Sequence, residues 1–340
     1  MNLLIYTQKV DRYDTVLGFF HDWIIKLSKN FNTITVICLE KGSVELPNNV
    51  NVISLGKERG VSKIKYIVNF YKNLVTLRGK YDAVFVHMNQ EYVLLGGLYW
   101  KIIGVPVYLW RNHKQGNFIT RLAILLSNKV FYTSSKSYTA RFNNAIQMPV
   151  GVNEELFKEN LSVIRKKYSI CMVGRVSPVK HVDLALEAIN ILIKDGVQVS
   201  FSIIGDVPKR DSEYFDSLKN YIDKNNLNKV VNFQKGVPSE SLPELYGGFE
   251  ICLNLTDEGS FDKTIVEATM CGTLPLVSSQ SFSGILPKVC ITDTKAENIS
   301  ESIKKLLEPE AQIRAKKDLE NFAISQSLSE LVSKLKKEIK

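Results

Sequence analysis

At 340 residues the chain is too long for one typical core and suits two middling domains. Its 45% hydrophobic and 23% charged residues exclude wholesale disorder. No apolar run approaches the roughly 20 residues that span a bilayer, and the run from Met1-Asn2-Leu3-Leu4-Ile5 lacks the basic region, apolar stretch and small-residue cleavage site of a secretory signal, so the expected location is the cytoplasm. The charge is uneven: residues 1–150 carry 19 basic and 8 acidic side chains, hence +11, and the rest carry 25 and 27, hence −2. Something anionic is therefore expected to meet the first half; nucleic acid, an acidic membrane face and a phosphorylated acceptor all qualify.

Apolar runs alternate with amphipathic stretches throughout, the pattern of parallel sheets flanked by helices. In the first half strands are expected at 3–7, 33–39, 50–55, 83–87, 105–110 and 129–133. Helices are expected at 17–28, 61–77, 91–103, 119–127 and 135–142. The helix at 61–77 carries Ile64, Ile67, Val68, Tyr71, Leu74 and Val75 at helical spacing, with Lys63, Lys65, Lys72 and Arg78 around them. That stripe reads as a core-facing surface with a wet basic side; a helix resting on an anionic membrane is the alternative.

Met148-Pro149-Val150-Gly151-Val152-Asn153 breaks both periodicities and divides the chain near residue 150. The alternation restarts with strands at 169–174, 200–205, 230–233, 251–255 and 274–278. Helices follow at 181–194, 211–224, 241–246, 263–271 and 294–307, before a charged helical tail. Domains of 1–150 and 151–322 are expected, with a final helix at 323–340 packing back on the first domain. Cys38, Cys171, Cys252, Cys271 and Cys290 show no CxxC spacing and only four histidines accompany them, so buried reduced thiols are expected rather than a metal site.

Several chemistries are excluded by missing motifs. There is no GxGxxG fingerprint, no GxxxxGK[ST] loop and no GxSxG elbow. Two constellations in the second half are informative. Gly174-Arg175-Val176-Ser177-Pro178-Val179-Lys180 follows a strand and precedes a helix, so Arg175 and Lys180 could grip phosphate oxygens at the carboxyl end of the sheet. Glu258-Gly259-Ser260-Phe261-Asp262-Lys263-Thr264-Ile265-Val266-Glu267 runs through a glycine loop into a helix whose N-terminus suits a diphosphate. Glu267, one turn in, could accept from two vicinal ribose hydroxyls.

With those motifs in view, residues 169–279 resemble the nucleotide-binding half of the GT-B glycosyltransferases of the GT4 family, also called glycosyl transferases group 1. The Gly-Arg-x-x-x-x-Lys run resembles that family's phosphate loop. Phe233-Gln234-Lys235-Gly236-Val237-Pro238, with Leu242 and Leu245-Tyr246, resembles its nucleobase loop. Glu267-Ala268-Thr269-Met270-Cys271-Gly272-Thr273-Leu274-Pro275 resembles its glutamate helix. Pro149-x-Gly151-Val152-Asn153 resembles its interdomain junction, with Asn153 where Asp is usual. The resemblance implies two Rossmann-like doubly wound α/β domains facing across a cleft.

It also implies roles. Arg175 and Lys180 would hold the donor diphosphate, Glu267 the ribose and the backbone at Val237 the base. The amides of Phe261, Asp262 and Lys263 would face the transferred sugar, and those of Thr264 and Ile265 the phosphate. His113, after the strand at 105–110, would lie near the donor sugar. Gly18, opening a helix after the first strand, would let phosphate approach closely. His87, Asn89 and Glu91 form a candidate acceptor patch. The family commonly has two glutamates eight apart; Gly259 stands at the first position with Glu258 beside it, which puts donor-sugar selectivity in question.

The implied activity is transfer of a sugar from a UDP- or GDP-linked donor to a glycan or lipid-linked acceptor, in bacterial-type surface polysaccharide or glycolipid synthesis. Retention, no metal and no other cofactor are expected, with the protein in the cytoplasm or peripheral on the inner membrane face. A GT-B nucleotide-sugar epimerase would need acid–base carboxylates, and no convincing pair is evident. A non-catalytic nucleotide-sugar sensor is weighed against by His113. A nucleic-acid binder would account for the basic half but not for the organised second half.

Overall fold

In a computed structural model the protein is described over residues 1–256 and 261–339. It divides into two compact units, one of residues 1–151 with the terminal segment from Leu328, the other built on 152–256 and 262–327. Glu258, Gly259 and Ser260 of the glycine loop lie outside the described residues.

In the first unit β1 (Asn2–Val10), β2 (Thr33–Lys41), β3 (Val50–Ser54), β4 (Ala83–His87), β5 (Val107–Trp110), β6 (Lys129–Tyr132) and β7 (Ala145–Gln147) form one parallel sheet in the order β3-β2-β1-β4-β5-β6-β7. Residues 3–7 are buried without a break because helices cover both faces of the sheet, which is why such strands read as continuous apolar runs rather than alternating ones. On one face Leu3, Ile5, Ala83 and Phe85 pack against Phe20, Trp23 and Ile24 of α1 (Phe19–Ser28). On the other, Leu4, Tyr6, Val84 and Val86 pack beneath α2 (Lys63–Thr76), α3 (Glu91–Ile102) and α4 (Phe118–Leu125).

The second unit repeats the plan. β8 (Ser169–Val173), β9 (Ser200–Ile204), β10 (Val231–Gln234), β11 (Ile251–Asn254) and β12 (Leu274–Val277) run parallel in the order β10-β9-β8-β11-β12. They alternate with α5 (Val182–Lys194), α6 (Ser212–Lys224), α7 (Leu242–Gly247), α8 (Lys263–Met270) and α9 (Ala296–Leu306), followed by α10 (Pro309–Ser325). In each sheet the strand order reverses beside the first strand of the unit, at β1/β4 and at β8/β11. Those reversals open crevices at the carboxyl ends of the strands, where doubly wound sheets bind ligands.

The terminal helix α11 (Leu328–Glu338) returns to the first unit, where Leu331, Val332 and Leu335 join the core around Trp23. Lys129 Nζ meets Glu338 Oε2 at 2.9 Å. Gly151 sits against this helix with φ of 74°, and a side chain there would collide with Leu331 and Trp23. Its carbonyl accepts the Trp23 indole N–H at 2.8 Å, so the junction motif has a packing reason. The returning segment begins at Leu328 rather than 323 because residues 323–325 finish α10.

Three expectations need correction. The stretch 135–142 makes only one 3-10 turn, Tyr138–Arg141, held by the Thr139 hydroxyl bonding the Arg111 carbonyl at 2.8 Å. The edge strand β7 was not expected; at three residues it is too short to show a period. The third concerns α2, whose orientation is inverted. Tyr66, Asn69, Phe70, Asn73 and Leu74 face inward, while Ile64, Ile67, Val68, Tyr71 and Val75 face outward. Aromatic packing of Phe70 on Tyr6 and Tyr92, with Asn69 Nδ2 donating to the Leu55 carbonyl at 2.9 Å, locks the helix that way.

Candidate functional site

The crevice at β8/β11 holds a compact cluster of charged and polar side chains. β8 ends at Val173, and Gly174 turns the chain with φ of 140°, a value that disfavours any side chain. Gly205, at the end of β9, lies so close that a Cβ there would strike the Gly174 carbonyl. The Val176 N–H donates to the Asp206 carbonyl at 3.0 Å, pinning the loop from the same side. Arg175 is exposed on the loop and Lys180 partly buried at its end.

Lys180 Nζ donates to Asp262 Oδ2 at 2.5 Å and to Thr256 Oγ1 at 2.9 Å; the Thr256 hydroxyl in turn donates to Asp262 Oδ2 at 3.2 Å. Asp262 is also the N-cap of α8, its Oδ1 accepting from the Thr264 N–H at 3.3 Å and the Thr264 hydroxyl at 3.1 Å. Asn254, the last residue of β11, donates to Thr264 Oγ1 at 3.0 Å. Burial by itself would push the Asp262 carboxyl up. The Lys180 ammonium and the hydrogen bonds around it outweigh burial and hold the group at about 2. A carboxylate thus sits on an ammonium and a helix N-terminus together, the two groups that would otherwise attract an anionic ligand.

One turn into α8, Glu267 is buried and its Oε2 accepts from the Tyr246 hydroxyl at 3.4 Å. Burial raises its carboxyl to about 7. Lys263 and the Tyr246 hydroxyl pull it down, and the Asp262 charge adds to the rise. Tyr246 belongs to α7, which follows the loop at Val237, so the expected base loop and the glutamate helix share one hydrogen bond. That loop is tied down by the Gly236 N–H donating to Asp206 Oδ1 at 3.1 Å. Asp206, Thr256 and Asn254 were not singled out from sequence. Their signal is positional, since each stands at the carboxyl end of a strand next to the switch point.

In the first unit the expected residues are less concentrated. His113 is exposed in the loop after β5, with Nδ1 engaged by the Gln115 backbone at 3.1 Å, which leaves Nε2 as the nitrogen available to a ligand. Asn112 beside it accepts from the N–H groups of Thr133 and Ser134, joining the β5 and β6 loops. Gly18 is buried, its N–H already donates to the Asp14 carbonyl at 2.9 Å, and a Cβ would collide with that oxygen. The lack of a side chain there has a local reason as well, since the chain passes close to the Asp14 and Arg12 carbonyls. His87 lies in the core, stacked on Phe20 at 3.9 Å with Nδ1 on the Thr7 hydroxyl at 3.1 Å. An exposed acceptor patch therefore cannot include its ring. Asn89 is partly buried and Glu91 exposed, after an exposed Met88 held at φ of 69°. Such a conformation is uncommon for a side-chain-bearing residue and is often kept where a site demands it.

Among the described residues no three His, Cys, Asp or Glu side chains are grouped to hold a metal ion. The five cysteines are free and buried.

Two parallel Rossmann-like units, the second with cations and a helix N-terminus at its switch point, define a protein of GT-B architecture. The glycosyl transferases group 1 family matches residues 153–324, about half of the chain, and the chain belongs to that family. Among curated proteins it is similar to the GtfA subunit of a UDP-N-acetylglucosamine–peptide N-acetylglucosaminyltransferase from Streptococcus pneumoniae. Identity is 24% over 238 residues, 68% of this chain and 42% of that protein, so the chain spans less than half of that relative's length. Among solved structures, HepE from Anabaena in complex with UDP superposes with a TM-score of 0.81 at 17% identity, covering 100% of this chain and 99% of that one. Sucrose-phosphate synthase from Thermosynechococcus elongatus gives 0.74 at 12% identity over 99% and 98%. WaaG, a glycosyltransferase involved in lipopolysaccharide biosynthesis, gives 0.68 at 13% identity over 99% of both chains.

Proposed function

We propose that this protein is a GT4-type enzyme that moves a sugar from a UDP- or GDP-linked donor to a glycan or lipid-linked acceptor in surface polysaccharide or glycolipid synthesis. The single observation that carries the donor half of this reading is the cluster of Lys180, Thr256 and Asp262 at the N-terminus of α8, with Glu267 one turn behind it. The family match covers all four residues. Complexes of HepE with UDP and UDP-glucose support the choice of donor class, as properties of that protein.

In this reading the donor diphosphate takes over Lys180 from Asp262, and Arg175 closes on it from the exposed side of the loop. The ribose hydroxyls donate to Glu267, and the base rests on the loop at Val237. The acceptor oxygen attacks the anomeric carbon as its bond to the diphosphate oxygen breaks. The bonding electrons leave with the diphosphate, and Lys180, Arg175 and the first turn of α8 stabilise that growing charge without a divalent ion. With retention, the departing phosphate oxygen takes the acceptor proton on the same face. By the family resemblance the amides of Phe261 and Lys263 would face the sugar, His113 Nε2 is the first unit's candidate for the reaction, and Asn89 and Glu91 are its candidates for the acceptor.

The test is a thermal-shift panel of UDP, GDP, ADP and their sugars, followed by turnover with the stabilising donor. Ligand binding raises apparent stability by mass action, so one base should stand out. Release of free nucleoside diphosphate only when an acceptor is added identifies a transferase. An epimerised donor without acceptor, or binding without any product, would refute the proposal.

A further inference from the structure

The inverted orientation of α2 exposes a surface that the donor site does not use. α2, α3 and α4 lie side by side on one face of the first sheet, joined through Phe70, Tyr92, Trp100 and Ala123 beneath them. Their outward sides carry Ile64, Val75, Leu98, Ile102, Phe118 and Leu125, each between 63% and 78% exposed. Single exposed apolar residues are ordinary, but a stripe on each of three adjacent helices is a patch that calls for a partner. Local structure holds it open. Tyr71 on α2 donates from its hydroxyl to the Leu95 carbonyl of α3 at 3.2 Å, and the Asn117–Thr120 capping box fixes the first turn of α4, where Phe118 projects.

The charges around the patch identify the partner. Residues 57–127 hold eleven Lys and Arg against three acids. Lys57 pairs with Glu40, Arg59 with Glu58, and Arg111 bonds Gln90 and Gln115. But α2, α3 and α4 themselves carry Lys63, Lys65, Lys72, Lys101 and Arg121 exposed, with Glu91 as their one acid. Two of those acids are already engaged: Glu58 with the Ser54 hydroxyl and the Lys41 N–H, Asp82 with the Asn2 N–H. Apolar side chains ringed by cations match a bilayer of anionic lipid, whose headgroups meet the ammonium groups while its acyl boundary takes the apolar tips. A protein partner would have to supply an equally one-sided acidic rim. No helix among the described residues is long and apolar enough to cross a membrane, so contact would be from the surface.

We infer that the outward face of α2, α3 and α4 docks the protein on an anionic lipid surface and inserts its apolar side chains into the interface. This stands on the first unit alone and does not rest on the donor reading.

The full chain is sedimented with phosphatidylglycerol-rich vesicles and with phosphatidylcholine vesicles, over a range of ionic strength. Binding to the anionic vesicles is expected, with a fraction that high salt does not release, because inserted apolar area is not screened. Ile102→Asp with Phe118→Asp should remove that salt-resistant fraction, each change weakening the partition coefficient by roughly tenfold or more. Lys63→Glu, Lys65→Glu and Lys72→Glu should instead abolish the salt-sensitive part. All five positions are exposed, so the variants should keep the parent's melting temperature and nucleotide response. Three results would overturn the proposal: no sedimentation with anionic vesicles at low salt, full salt-resistant binding by folded Ile102→Asp/Phe118→Asp protein, or loss of a dimer in that variant without change in vesicle binding.

Discussion

Glu267→Gln tests the donor reading through a proton. In the folded protein burial holds the Glu267 carboxyl at about 7, against 4.5 for an ordinary glutamate. Lys263, Asp262 and the Tyr246 hydroxyl face it, as does the Cys271 thiol, which burial pushes up to about 12 and which stays neutral in this range. Ribose hydroxyls can only donate to this group as a pair when it is ionised. Nucleotide binding must therefore lower its pKa and expel a proton. Near pH 7, where about half the molecules hold that proton, roughly half a proton should leave per nucleotide bound. Below that pH, affinity should weaken by up to about tenfold per pH unit. The stability sign follows from a folded pKa above the unfolded one. The favourable contribution of the protonated group is complete below pH 4.5 and lost as pH rises through about 7. A rise from 4.5 to about 7 is worth on the order of 3 kcal/mol, so above pH 7 Glu267→Gln should be more stable than the parent by up to that amount. Titration calorimetry in buffers of different ionisation enthalpy reads the proton, and denaturant melts on both sides of the window read the stability. A variant with unchanged donor affinity, and a parent that releases no proton near pH 7, would refute the argument.

Arg175→Ala and Lys180→Ala should each lower kcat while the protein stays folded, since losing one contact to the departing charge costs about 3–4 kcal/mol; full turnover in either folded variant removes that residue from the site. Asp262→Asn should cost about 2 kcal/mol of stability at neutral pH, because the Asp262 carboxyl is held at about 2 against 3.8 for a free aspartate. The sign here is the reverse of Glu267: the contribution is present above pH 3.8 and is lost as pH falls through about 2, so denaturant melts of parent and variant should converge at that acid end. Addition of EDTA should leave the transfer rate unchanged in a steady-state assay; activity lost on chelation and restored by Mg²⁺ or Mn²⁺ would end the metal-free mechanism.

Both sheets were legible in the sequence because parallel strands buried on two faces leave uninterrupted runs such as Ala83–His87, bounded by turns. The turn at Gly174–Lys180 was legible for a related reason. Gly174 and Gly205 meet backbone to backbone, and that contact places Arg175 and Lys180 at the end of β8 whatever the surface does. The cluster at Lys180 was only half visible. Asp262 could be placed beside a sugar by resemblance, but its bond to Lys180 joins residues 82 apart, and no local pattern encodes such a pairing. Thr256 and Asn254 are common residue types whose meaning comes entirely from standing at the end of β11.

The misreading of α2 and the burial of His87 share one physical cause. Periodicity reports that a helix has an apolar stripe, not which way the stripe points. In α2 the inward side is chosen by Phe70, which packs on Tyr6 and Tyr92, and by Asn69, whose amide donates to the Leu55 carbonyl. A buried amide that completes a backbone hydrogen bond carries little of the penalty hydropathy assigns to it. Hydropathy therefore ranks Ile64 and Val68 above Asn69 as core residues, and packing reverses the order. His87 shows the converse: a residue type expected at a wet strand end is drawn inside because Phe20 offers its ring face and Thr7 its hydroxyl. Where aromatic geometry and a single hydrogen bond decide orientation, an apolar stripe left outside is evidence about a partner rather than about the core.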